Sequence, residues 1–197
     1  VELEVKATLV WKRLGVPSPG AAGDAALRAD FDSAYRRARD VLTPRWSSRR
    51  VAVIRVRGDE VELDGGVAWH SADLAKLTSG ASTIVAMAAT VGEALEALAA
   101  DYDALGEVFA MTVADAVGSV AAEELVSRVH RRAREEGRPA GEVVGRRISP
   151  GYGDFDLACQ AELLALSGGT ELGITLTENY MMMPRKSVSA VAAITAE

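Results

Sequence analysis

The chain has one cysteine, Cys159, and two histidines, His70 and His130. A lone cysteine excludes an intramolecular disulfide and fits a reducing compartment. His70 and His130 lie far apart, so no zinc-type ligand spacing exists; each reads as a surface or helix-end residue. Cys159 has no nucleophile signature beside it and reads as a buried structural thiol. Long apolar runs are also missing: nowhere do about 18 apolar residues follow one another, which argues against a membrane span. There is no basic tract interleaved with aromatics, and the net charge is −6 with both signs spread along the chain. Nucleic acid is therefore not an expected partner. Neither a Walker loop nor a Rossmann fingerprint occurs. Val1-Glu2-Leu3-Glu4 lack the basic-then-apolar order of a signal peptide, so a cytoplasmic setting is expected.

What is present suits a single globular domain. The 197 residues are 49% apolar, enough to bury a proper core and too apolar for a disordered chain. Residues 3–14 read as a short amphipathic helix with Leu9, Val10 and Leu14 on its apolar side, ended by Gly15. A Pro/Gly-rich linker follows at Val16–Gly23. Asp24 is the expected cap of a second helix that carries Leu27, Phe31, Ala34, Tyr35, Ala38 and Leu42 at helical spacing. Pro44 stops it. The valines at 51, 53 and 56, then Val61 and Leu63, flank Gly58-Asp59 as a β-hairpin. Ser71 opens a short helix to about Leu77. The run Thr83–Ala89 does not alternate and reads as a strand buried on both faces.

Helices are expected at Glu93–Ala100 and Ala104–Glu135. The longer one places Val108, Met111, Ala114, Gly118, Ala121, Leu125 and Val129 on one side, small enough in part for close approach. Arg128, His130, Arg131, Arg132 and Arg134 crowd its end, where cations complement the helix dipole, and Gly137 and Pro139 close it. Strands at 143–148 and Val188–Ile194 and a helix at Cys159–Leu166 complete the pattern, with Gly168-Gly169 as a helix stop. The fold class is α+β: a single domain with a mixed, mostly antiparallel sheet covered by helices. Residues 1–44 are expected to be an N-terminal helical segment packed on a main domain of residues 45–197.

Two segments stand out. Arg146-Arg147-Ile148-Ser149-Pro150-Gly151-Tyr152-Gly153-Asp154 combines a stiffening proline with glycines that permit close backbone approach. Arg147 offers a fork for a carboxylate, Tyr152 a flat face with a polar tip. These features suit a zwitterionic, adenine-bearing ligand, and they equally suit a tight turn with a surface arginine. In Gly173–Ala190, Thr, Glu and Ser are embedded among apolar residues. Their partners lie either in a structural hydrogen-bond network or in a pocket wall. Met181-Met182-Met183 reads as gap-filling core methionine in preference to a soft ligand or a flexible apolar binding surface.

The order of these blocks resembles the activation domain of cobalamin-dependent methionine synthase. It runs Arg147-x-x-x-Gly151-Tyr152, a helix with Gln160, Gly-Ile-Thr-Leu-Thr-Glu at 173–178, Met-x-Pro, then Ser-Val-Ser at 187–189. Ser-Pro-Gly-Tyr-Gly-Asp and Pro-Arg-Lys-Ser-Val-Ser-Ala are closest to the short, free-standing members. The strong likeness covers residues 146–190; a weaker one reaches back through Ala88–Gly92 and the long helix. The resemblance implies binding of S-adenosylmethionine. Arg147 would hold its carboxylate, the backbone around Ser149 and Gly151 would meet its amino-acid and adenosine parts, Tyr152 would lie beside it, and Glu178 would line the pocket. The family's acidic contact on the long helix falls at Ser119, with Glu123 one turn later as a substitute. The family's C-terminal tyrosine would fall beyond Glu197, and its N-terminal aspartate has no counterpart.

The implied activity is reductive methylation. Oxidised Co(II) on a cobalamin-binding methionine synthase that lacks its own activation domain is reduced by a flavodoxin or ferredoxin and trapped by the methyl of S-adenosylmethionine. Cobalamin enters only through that partner. Cobalt is itself the nucleophile, so placement rather than a general base is required, and no catalytic residue is implied. Alternative readings are an activator of a different corrinoid methyltransferase protein, and a non-catalytic S-adenosylmethionine-binding regulatory module.

Overall fold

The run around Ala86 does not alternate because both its faces are covered. In the computed structural model, which describes residues 3–16 and 25–196, this segment is the strand β4 (Thr83–Thr90), buried along almost its whole length. It lies within a six-stranded antiparallel sheet of order β3-β2-β1-β4-β8-β5. The other strands are β1 (Arg45–Arg57), β2 (Glu60–Leu63), β3 (Val67–His70), β5 (Glu142–Ile148) and β8 (Ser187–Ala196). On one face Val85 and Met87 meet Val129 and Ala133 of the long helix α5 (Val108–Gly137). On the other, Ile84 and Ala86 share a core with Leu74 of α3 (Ala72–Thr78) and Leu163 of α6 (Gln160–Ser167). The sheet is thus sandwiched, which is why period-2 patterning disappears at its centre.

The helical layer beyond α5 is built from α1 (Ala7–Arg13), α2 (Ala25–Asp40) and α4 (Ala94–Ala104). Trp11 stacks on Phe31 at 3.9 Å between ring centroids, and Phe31 on Tyr35 at 5.5 Å. The Tyr35 hydroxyl donates to the Val5 carbonyl. Phe31, Ala34 and Ala38 are buried as their spacing predicts. Gly118 serves close approach: a methyl group there would overlap Leu95 of α4 and Lys186.

Several expectations shift. Residues 3–6 are outside α1, and its buried side chains are Val10 and Trp11, while Leu9 is exposed. Val108 is exposed on the first turn of α5. The chain leaves α2 at Asp40, before Pro44, because the Thr43 amide already bonds the Val91 carbonyl at 2.9 Å beside the sheet. The polar half of β1, Arg45-Trp46-Ser47-Ser48-Arg49-Arg50, was not expected as strand; pairing with β4 recruits it. The strand β3, absent from the sequence reading, completes the meander beside β2. The Asp24 cap and most of the Val16–Gly23 linker lie outside the described residues. Among the described residues, no helix is long and apolar enough to cross a membrane.

The methionines depart furthest. Met181 and Met183 are exposed and Met182 is only partly buried. They lie at the two-stranded ribbon of β6 (Thr175–Leu176) and β7 (Met182–Met183), outside the six-stranded sheet, where Met182 alone of the three packs on the small core of Ala88, Leu164 and Ile174. His130 is also not a surface residue: its ring is buried, with Nε2 2.8 Å from the Gly145 carbonyl. Exposed His70 lies 3.8 Å from Asp59. Cys159 is half-buried, and burial pushes its thiol pKa up.

Candidate functional site

The Arg147–Asp154 segment leaves the edge strand β5 and turns back toward α6. Two anchors fix it. Phe155 is buried against Trp69, ring centroids 5.3 Å apart. Asp154 caps α3 from outside its own element, accepting from Ser71 Oγ at 2.6 Å and from the Ala72 and Asp73 amides at 2.7 and 3.2 Å. The Ser71 bond, with those amides, holds the Asp154 carboxyl below its ordinary pKa. Between the anchors, the Gly151 amide donates to the Phe155 carbonyl at 2.7 Å and the Tyr152 amide to the Ser149 carbonyl at 3.2 Å. Gly151 and Gly153 both have positive φ, 86° and 60°, conformations glycine adopts without steric cost. At Gly153 an added methyl group would also strike the Asp73 carboxylate.

A cleft of about 340 Å³ opens beside this loop, lined by Asp73, Glu123, Arg146, Arg147, Ser149 and Tyr152 among others. That is near the small end of the range, roughly 300–1,000 Å³, for small-molecule sites. Arg147 reaches across it to α5. One terminal nitrogen donates to Glu123 at 2.7 Å, the other to Ser127 Oγ at 3.0 Å. The Arg147 side chain is 26% exposed and Glu123 59%, so the pair faces the opening. A guanidinium has five N–H donors and a carboxylate several acceptor positions. Both groups therefore retain capacity for a ligand carrying the opposite charges.

The structure brings Arg147, Ser149, Tyr152 and Glu123 to this cleft, with Gly151 in the loop that borders it. Their contributions differ from a fully open backbone. The Ser149 hydroxyl is engaged, donating to the Ser189 carbonyl at 2.6 Å, and the amides of Gly151 and Tyr152 close the turn. Tyr152 is 70% exposed at the rim. Glu178 lies elsewhere, exposed on the turn between β6 and β7. Ser119 sits one turn from Glu123 and accepts from Lys186 Nζ at 2.9 Å, while the same ammonium pairs with Asp115 at 2.6 Å. The embedded serines form a structural network: Ser187 Oγ donates to the Pro184 carbonyl and bonds Thr90 Oγ1, and Ser189 meets Gln160, whose amide donates to the Tyr180 carbonyl.

Asp73 lines the cleft and Ser127 anchors Arg147 beside it, and neither was singled out in sequence. Ser127 was findable, since it lies four residues after Glu123 and shares its helix face. Asp73 carried no local signal, because only the cap by Asp154 brings α3 against the loop.

A profile described as "Vitamin B12 dependent methionine synthase, activation domain" matches residues 68–197. Among solved structures, one described as the "MetH Reactivation Domain bound to AdoHcy" superposes with a TM-score of 0.69 at 21% identity, covering 94% of this chain and 73% of that one. That likeness is one of fold. No significant match was found among curated proteins. The profile spans most of the sheet, the long helix and the whole Arg147 cleft, and on that match the chain belongs to the vitamin B12-dependent methionine synthase activation-domain family.

Proposed function

We propose that the Arg147 cleft binds S-adenosylmethionine and that the protein supports reductive methylation of a Co(II) corrinoid held by a cobalamin-dependent methionine synthase. One observation carries this reading: Arg147-x-x-x-Gly151-Tyr152 is folded around a cleft whose mouth presents a guanidinium and a carboxylate side by side. An α-amino acid carries the complementary pair, a carboxylate for Arg147 and an ammonium for Glu123. Loop backbone around Ser149 and Gly151 would border the remainder, with the Tyr152 ring beside it. The residues present fit the ligand. A solved relative of the same fold that holds AdoHcy supports the choice.

S-adenosylmethionine supplies an electrophilic methyl group when bound. The protein's own task is to hold it at the rim, where a partner's corrinoid can approach, which is catalysis by placement. Exposed Tyr152 marks that rim. We assign the reducing electron to a flavodoxin or ferredoxin and the setting to the cytoplasm. The partner is taken as a separate synthase lacking its own activation domain, since the loop wording is closest to free-standing members. Purified chain, Co(II) synthase, reductant and S-adenosylmethionine are expected to generate the methylcobalamin spectrum. A yield no greater than in the chain-free control sinks the proposal.

A second reading, a regulatory module that binds without reactivation, is favoured by one observation: Ser119 is tied to Lys186 where the family has an acid. Calorimetric binding of S-adenosylmethionine together with an unchanged corrin spectrum selects it. The role of Glu178 belongs to the same proposal and is tested by Glu178→Gln in that titration.

A further inference from the structure

Two adjacent arginines, Arg146 and Arg147, end β5, and only one can face α5. Side chains alternate along a strand, so a shift of one residue exchanges the two faces. Val144 pairs with Ile194 and packs against α5 with Val129 and Ala133. Regular alternation from Val144 would turn Arg146 toward α5 and Arg147 away. The register breaks before that: Arg147, not Arg146, stands opposite Ala192. Gly145 and Arg146 together span the single position of Ala193, which is a β-bulge. Ile148 consequently falls on the far face, in the core with Val61 and Phe155.

The edge strand β5 has a neighbour on one side only, and α5 collects the carbonyls at the bulge. Arg134 Nε donates to the Val144 carbonyl at 3.0 Å, and Arg134 Nη2 to the Gly145 carbonyl at 3.2 Å. His130 Nε2 meets that same Gly145 oxygen at 2.8 Å. Helix dipole complementarity does not require such bonds; they satisfy backbone carbonyls that β8 does not, and they fall on the two residues at which the register shifts. His130 and Arg134 lie four residues apart on one face of α5. Ser127 and Glu123, which receive Arg147, lie further along the same helix. One helix thus both fixes the irregularity in β5 and receives the side chain that the irregularity redirects.

We propose that His130 and Arg134 are positioning residues that hold the β5 bulge and thereby select Arg147 rather than Arg146 to meet Glu123 and Ser127 on α5, although both arginines line the cleft. The consequence for ligand affinity rests on the S-adenosylmethionine reading above; the selection itself does not. The test has two arms. In the first, arginine side-chain NMR is recorded on the ligand-free protein, with the cleft signal identified by its loss in Arg147→Lys and its survival in Arg146→Lys. In the variant pair His130→Leu with Arg134→Leu, that slowly exchanging signal is expected to vanish or to become sensitive to Arg146→Lys instead. His130→Gln, which keeps a donor, is expected to preserve it. Should the double variant not fold, Arg134→Lys, with one donor group in place of the fork, is expected to weaken the signal. A cleft signal still belonging to Arg147 in each folded clamp variant overturns the proposal.

In the second arm, the dissociation constant of S-adenosylmethionine is measured by calorimetry. Arg147→Ala is expected to raise it tenfold or more, and the double clamp variant by a similar factor, with little further loss when the two are combined. An Arg147→Ala variant that binds normally defeats the cofactor reading and leaves the NMR arm to decide the clamp. Loss in Arg147→Ala but full affinity in the clamp variants defeats the clamp alone.

Discussion

Arg147 is where charge and geometry meet. Its side chain is mostly sheltered and doubly bonded to α5, so it is presented to a ligand in a fixed orientation. Replacing it by alanine removes charged hydrogen bonds, each worth roughly 1.5–3 kcal/mol. Calorimetry on Arg147→Ala is therefore expected to show S-adenosylmethionine binding weakened by about ten- to a hundred-fold. Gly153 obeys a different rule. Holding a non-glycine residue at its φ of 60° costs about 1–2 kcal/mol, and a methyl group there also meets Asp73. Gly153→Ala is expected to lower the urea midpoint and weaken binding together, because the loop and the cap on α3 share Asp73. The presence of this loop was legible from its glycines and proline. What it rests on was not: Asp154 bonds residues more than eighty positions earlier, and no local pattern encodes that contact.

At the scale of elements, α5 carries most of the organisation. Gly118 would gain about 1 kcal/mol of helix propensity as alanine on an exposed face. Here the added methyl overlaps Leu95 and Lys186, and overpacking costs about 1–3 kcal/mol. Gly118→Ala is expected to lower the thermal midpoint. The basic end of the helix read as dipole complementarity, yet its members have separate tasks. Arg132 pairs with Glu136 and stacks over Trp46 at 5.1 Å, whereas His130 and Arg134 serve the bulge. Burial, with Arg134 and Arg147 nearby, holds the His130 pKa below its ordinary 6.5, and the Gly145 bond opposes this. The unfolded chain therefore takes up a proton first on acidification. The stability that neutral His130 contributes is full above pH 6.5 and is lost as the pH falls through the lower folded value. Urea midpoints measured from pH 7.5 downward are expected to show this decline in the native protein and to lack its histidine component in His130→Gln.

For the whole molecule, ligand and fold should be linked. A ligand at a hundred times its dissociation constant stabilises the native state by about 2.7 kcal/mol, or roughly 5–10 °C for a chain of this size. S-adenosylmethionine is expected to raise the midpoint by that amount in the native protein and by little in Arg147→Ala. The sequence by itself determined the helical faces of α2 and α5, the doubly buried β4, the hairpin around Gly58 and the family to which the C-terminal blocks belong. All of these are written in spacing and residue type over short stretches. Tertiary structure alone decided that polar Arg45–Arg50 is strand, that Met181 and Met183 face solvent, and that Glu178 stands apart from Arg147. It also decided which of two neighbouring arginines reaches Glu123 and Ser127 on α5. A strand's faces are set by its register against a distant partner, and a single bulge, held by another element's side chains, reverses them.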